Sequence, residues 1–186
     1  MEHKGTVTLV TDRLILRRLT VLDAPAMYKN WASDEKVTKF LTWQPHPSPT
    51  HTKDLLKSWE MLYASPKTYQ WAIELKSICQ PIGTISAVGV HDEINAVTVG
   101  YCIGSRWWQQ GITSEALSAV KKFFFEEVKI NRLEARHSVH NPNSGKVMKR
   151  CGLSYEGTLK QADKSNFGIT NLCVYAMTAD EYFGRD

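Results

Sequence analysis

The sequence predicts a mixed α/β domain, on three observations. Segments with apolar residues at every second position, the strand period, are interleaved with segments whose apolar residues recur every three or four, the helix period. Glycine, proline and asparagine punctuate the boundaries. One strand–helix–strand unit over residues 97–139 requires its two strands to run parallel.

The elements follow in order. Residues 13–19 form the first strand, where Leu14 and Leu16 alternate with Ile15 and Arg17. Asp23 is a candidate N-cap, with Pro25 in the first turn of a helix that runs toward Trp31. Pro45, Pro47 and Pro49 make residues 42–50 an extended loop, since they can neither continue a helix nor sit in a central strand. Residues 52–63 carry Leu55, Leu56, Trp59 and Leu62 at helical spacing. Three strands come next, at 69–75, 81–90 and 97–103, the last two joined by a hairpin turn at 91–96. From Ser114 a helix shows Leu117, Val120, Phe124 and Val128 on one stripe. Residues 132–139 form a strand. Asn141-Pro142 starts a short helix that ends at Cys151, with Gly152 as its left-handed C-terminal residue. Strands at 153–160 and 171–177 complete a set of about seven strands and four helices.

Composition narrows the function. The chain has 186 residues, 42% of them hydrophobic and 23% charged, as in a globular protein of one domain spanning residues 1–186. No apolar run approaches the roughly 20 residues of a membrane span. The N-terminal residues lack the apolar core of a signal peptide, so a cytoplasmic location is expected. The net charge of +4 suits an anionic small molecule and falls short of a nucleic-acid-binding signature. Cys79, Cys102, Cys151 and Cys173 form no CxxC pair and read as reduced core thiols. His137 and His140 sit on a strand and its exit, where alternation sends them to opposite faces, so no metal site is expected.

Two segments carry chemistry. The first is Trp107-Trp108-Gln109-Gln110-Gly111-Ile112-Thr113-Ser114-Glu115-Ala116. Gly111 allows close backbone approach. The N–H groups from Gln109 to Ser114 at the helix start lack intrahelical partners, and the helix dipole adds positive charge. That combination suits a pyrophosphate. The loop has neither a GxxxxGK[ST] nor a GxGxxG pattern, which argues against a nucleoside triphosphate or a dinucleotide. The second segment runs from Asn141 to Gly152. Capping accounts for Asn141, Pro142 and Gly152 and leaves Ser144 free for other work.

Together these segments resemble the GNAT superfamily of acyl-CoA-dependent N-acyltransferases, in its ribosomal-protein N-terminal acetyltransferase-like (RimJ/RimL-like) branch. Four motifs carry the resemblance in order: Thr11-Asp12-Arg13-Leu14-Ile15-Leu16-Arg17-Arg18-Leu19, then Gly100-Tyr101-Cys102-Ile103, then the Trp107–Ala116 loop, then Asn141, Ser144, Val147, Arg150, Gly152 and Leu153. The resemblance implies an acetyl-CoA-dependent N-acetyltransferase whose mixed sheet contains a splayed parallel pair. Trp108, Gln109, Gln110, Gly111, Ile112, Thr113 and Ser114 would hold the CoA pyrophosphate. Tyr101, Cys102 and Ile103 would flank the pantetheine, and Asn141 would hydrogen-bond it. Ser144 would give a proton to the departing thiolate. Lys146 and Arg150, four apart on one helical face, would meet the 3′-phosphate.

The acceptor would be a primary amine, on a protein N-terminus or a small molecule. Its wall would come from the first helices and residues 40–45, with Trp43 and Tyr101 as aromatic candidates. The chain departs from the family at two positions. Thr98 stands on the substrate side where many members carry a glutamate, and Thr113 stands where alanine or glycine is usual. Threonine is no base at neutral pH. A second reading is therefore an acyl-CoA-binding protein with weak or lost catalysis. Homodimers are common in similar proteins.

Overall fold

A computed structural model describes residues 1–185. Eight strands form one sheet: β1 (Leu9–Val10), β2 (Leu14–Arg17), β3 (Gln70–Leu75), β4 (Gln80–His91), β5 (Ala96–Ile103), β6 (Arg132–Ser138), β7 (Ser154–Ser165) and β8 (Gly168–Thr178). Their spatial order is β1-β2-β3-β4-β5-β6-β8-β7. Every neighbouring pair is antiparallel except β5 and β6. The expected parallel pair is therefore present. The eighth strand is β1, two residues long and too short for alternation to reveal.

Six α-helical segments flank the sheet: α1 (Ala24–Met27), α2 (Glu35–Thr38), α3 (Pro49–Leu62), α4 (Ile112–Phe123), α5 (Pro142–Arg150) and α6 (Ala179–Phe183). A wide π turn, Tyr28–Ala32, extends α1, and another, Phe124–Val128, extends α4. The helix expected from Ser114 begins two residues earlier. Pro49 belongs to α3 rather than to the loop, because proline fits a first helical position and the Ser48 hydroxyl accepts from the His51 N–H at 3.2 Å. Asp23 does not cap α1 with its side chain. Its carboxylate accepts instead from the Thr20 N–H and from both terminal nitrogens of Arg17.

Two cores separate the faces. On one, α4 and α5 bury Ala116, Leu117, Val120, Phe124 and Met148 against Trp71, Ile85, Val97, Val99 and Leu133. On the other, the helices before β3 bury Met27, Trp31, Val37 and Leu56. Of the cysteines, Cys151 is buried between α4 and α5, where its thiol donates to the Ser114 carbonyl. Cys79 departs from the expected core thiol: it is exposed in the turn before β4.

The sheet opens where β5 leaves β6. Their pairing covers only Ala96–Val99 against Arg132–Ala135. Beyond it, β5 runs on beside β4 and β6 runs on beside β8. A bulge in β4 puts Val88 between the residues that pair Val99 and Thr98. Bulges increase local twist, and this one lies at the level where the strands part.

Candidate active site

The cleft starts at the splay. It encloses about 390 Å³ and is lined by Tyr101, Cys102 and Ile103 of β5, the loop and first turn leading into α4, the first turns of α5, and α2 with the residues after it.

The loop between β5 and α4 owes its shape to two residues in the left-handed region, Gln109 (φ +61°) and Gly111 (φ +74°). A Cβ on Gly111 would meet only an Arg13 nitrogen at 3.6 Å. Glycine is needed there for its backbone angle, and the protein itself leaves the space beside it open. The Trp108 indole N–H donates to the Ile103 carbonyl at 2.9 Å and pins the loop to the strand. Arg13 holds the other side. Its guanidinium donates to the Gln110 carbonyl at 2.9 Å and to Glu115 at 2.7 Å, while its own N–H reaches the same carboxylate. Burial works against the ionised form of Glu115, but bonds from Thr11 and Arg13 outweigh it and hold the carboxyl below its usual range.

Thus anchored, the loop presents six consecutive backbone N–H groups, Gln109 to Ser114, that have no acceptor among the described residues. Unpaired N–H groups at a helix start, with the positive end of the helix dipole, are a geometry suited to an anion. Gln110 faces an adjoining polar hollow with Arg13 and Ser118, and Arg150 borders both spaces. Lys146 also lines the cleft, so the face shared by Lys146 and Arg150 turns toward the same space as the unpaired N–H groups.

Helix α5 lies tight on β6. A Cβ on Gly145 would come within 2.5 Å of His137 Nε2, so only glycine permits this approach. The helix ends in a Schellman motif: Leu153 N–H reaches the Met148 carbonyl, Gly152 N–H reaches Lys149, and Gly152 has φ +84°. At its start, Asn141 occupies the cap position, but its side chain makes no capping bond. The expected side-chain cap is thus absent, and Asn141 lines the cleft.

Tyr101 and Ser144 interlock. The Tyr101 hydroxyl donates to the Ser144 carbonyl at 2.9 Å, and the Ser144 hydroxyl donates to the Tyr101 oxygen at 3.1 Å. Burial, partly offset by the Ser144 bond, pushes the Tyr101 phenol far above its ordinary value. The sequence suggested Ser144 as a lone proton donor. The structure adds a hydrogen bond from the Ser144 hydroxyl to the Tyr101 hydroxyl, which nothing in the residue spacing, 43 positions apart, foretold.

Two expected substrate residues lie elsewhere. Trp43 packs against the core under α1–α3, with its ring 5.3 Å from His46, and it does not line the cleft. Its place is taken by Lys36, Val37, Phe40 and Leu41. Thr98 sits in the paired part of the splay, opposite Glu134, before the strands part. A residue two before Gly100 is held in the ladder and does not reach the cleft. The sequence also missed Trp107, His140 and Val147 as lining residues. Of these, Val147 carried a signal, since it shares a helical face with Lys146 and Arg150. His137 and His140 do diverge: His137 is buried with its ring 5.6 Å from Tyr175, and His140 borders the cleft.

Comparison with known proteins gives a consistent result. A family profile described as "Acetyltransferase (GNAT) domain" matches residues 13–154. An uncharacterized N-acetyltransferase, p20, of Bacillus licheniformis is 27% identical over 177 residues, covering 95% of this chain and 99% of that protein. The [ribosomal protein uS5]-alanine N-acetyltransferase of Escherichia coli is 26% identical over 160 residues, covering 83% of this chain and 81% of that one. Among solved structures, RimL, a ribosomal L7/L12 alpha-N-protein acetyltransferase in complex with coenzyme A, superposes with a TM-score of 0.82 at 23% identity, covering 93% of this chain and 98% of that one.

Proposed function

Since this chain belongs to the GNAT acetyltransferase family, we propose that it moves an acetyl group from acetyl-CoA directly to a primary amine, with the protein α-amine as the preferred acceptor. The observation that carries this reading is the continuity of the cleft. Six free backbone N–H groups lead into the opening between β5 and β6, and the Tyr101–Ser144 pair stands beside it.

The residues fit the cosubstrate. The loop N–H groups bind the pyrophosphate, and Lys146 and Arg150 meet the 3′-phosphate. Asn141, free of capping duty, bonds the pantetheine amides. The β6-facing edge of Gly100–Ile103 has lost its parallel partner and offers N–H groups to a polarised carbonyl oxygen. Acetyl-CoA supplies an activated thioester that a neutral amine attacks. Tyr101 stays protonated at physiological pH, so the hydroxyl pair holds a proton ready for the departing sulfur. Most of the rate arises from holding amine and thioester together.

Two arguments favour a protein α-amine. The proteins compared above include a ribosomal-protein alanine N-acetyltransferase and a ribosomal alpha-N-protein acetyltransferase. In addition, α-amines have pKa values of about 8, against about 10.4 for lysine, so their neutral form is more accessible near neutral pH.

The test is CoA binding by calorimetry together with thiol release from acetyl-CoA, using peptides that begin with Ala, Ser or Met and small primary amines. Binding with peptide-dependent release is expected. Binding with no release on any acceptor would establish the acyl-CoA-binding alternative. Ser144→Ala should lower kcat by roughly tenfold or more while leaving CoA affinity nearly unchanged.

A further inference from the structure

We propose that His140 is the general base that removes the proton from the acceptor ammonium, a role that rests on the acetyltransferase reading above. The cleft contains no aspartate or glutamate among its lining residues. Its other titratable groups cannot take a proton near neutral pH. Lys36, Lys146 and Arg150 are cations. Burial pushes the Tyr101 phenol and the Cys102 thiol upward. Among the side-chain types that line the cleft, imidazole alone accepts a proton readily at neutral pH.

Position supports the chemistry. His140 lines the cleft on the side of Phe40, away from the loop into α4: its ring stands 4.6 Å from Phe167 at the β7–β8 turn, and Phe167 stands 6.0 Å from Phe40. The platform is fixed, because the Asn166 side chain donates to the Thr38 and Trp43 carbonyls. The His140 N–H donates to the Ser138 hydroxyl at 3.2 Å, which sets the backbone. His140 also directly precedes Asn141, so base, pantetheine ligand and the Ser144 hydroxyl come from one short segment.

The charged groups around it offer no rival. Lys39 lies 5.2 Å from the Phe167 ring. Asp163 and Lys164 belong to the same hairpin. On β6, Glu134 is held below the usual carboxylate range: burial opposes this, but bonds from Arg132 and Arg136 prevail. It is occupied by both arginines and stands outside the cleft.

In the step, a ring nitrogen of His140 takes a proton from the ammonium. The amine lone pair then forms the C–N bond as the C–S bond breaks, with its electron pair passing to sulfur. The sulfur gains a proton from the Tyr101–Ser144 pair, the acylated nitrogen gives up its second proton and so restores that pair through solvent, and the imidazolium returns its proton to water.

The test compares native protein with His140→Gln and His140→Ala on whichever of the Ala, Ser and Met peptides is acetylated fastest. At pH 7 kcat/KM should fall roughly 100-fold. The deficit should shrink toward native as pH rises past about 9, where the α-amine is already neutral. CoA affinity by calorimetry should not change. In native protein labelled with 15N-histidine, the His140 ring signal, identified by its loss in the variants, should shift when peptide is added to the CoA complex. A pH-independent deficit, a native-like profile or an unmoved ring signal overturns the assignment. Absence of thiol release by the native protein with every acceptor overturns the acetyltransferase reading itself, and His140 with it.

Discussion

The two ends of the cleft are built differently. The α4 end is made of backbone: six N–H groups on a loop bent by Gln109 and Gly111 and tied down by Arg13 and Glu115. The end proposed for the acceptor is made of side chains from distant segments: Lys36, Phe40 and Leu41 near α2 and His140 after β6, with Phe167 of a hairpin tip packed behind His140 and Phe40. On the proposed function, the backbone site recognises what all acyl-CoA ligands share, a pyrophosphate. A side-chain site can change one residue at a time, and on the same reading it would select among acceptors.

This contrast can be broken most forcefully at Gly111. Gly111→Val places a β-branched residue at φ +74°, which costs roughly 1–3 kcal/mol of strain or forces the loop open. CoA affinity should fall by about tenfold to a hundredfold in calorimetry, with circular dichroism showing the fold retained. Unchanged affinity would remove the loop from CoA binding.

A smaller effect is expected from Phe167→Ala. The ring packs on His140 and Phe40 but is not among the loop contacts. Aromatic pairs contribute about 0.5–1.5 kcal/mol beyond burial, so KM for the peptide should rise severalfold while CoA affinity holds. Equal losses in both would mean that the two ends do not act separately.

The mildest test sharpens the backbone end. The Glu115 carboxyl lies below its usual range in the folded protein. A lowered folded-state pKa stabilises the native form above the unfolded value, and that stabilisation fades as pH falls through the folded value. CoA affinity and melting temperature should therefore decline together below about pH 4.5, the unfolded glutamate range. Glu115→Gln should weaken CoA binding by only a few fold near neutral pH, as the ion pair is partly exposed. A variant with native affinity and native acid response would show that the tether does not shape the loop.

Sequence by itself determined the parallel β5–β6 pair, the helix starts near Ser114 and Asn141, the Gly152 stop and the run of unpaired donors. Each depends on local rules: alternation, caps, a left-handed residue, unpaired donors over a few positions. It did not determine the two-residue β1, the placement of Trp43 under α1–α3, or the confinement of Thr98 to the paired ladder. Nor did it bring Tyr101 to Ser144, or His140 and Phe40 to Phe167. Those contacts join residues far apart in the chain, and the bulge at Val88 with the departure of β5 from β6 sets which of them face the cleft. Strand and helix periods assign a residue to a face. Only the packed sheet decides which faces meet.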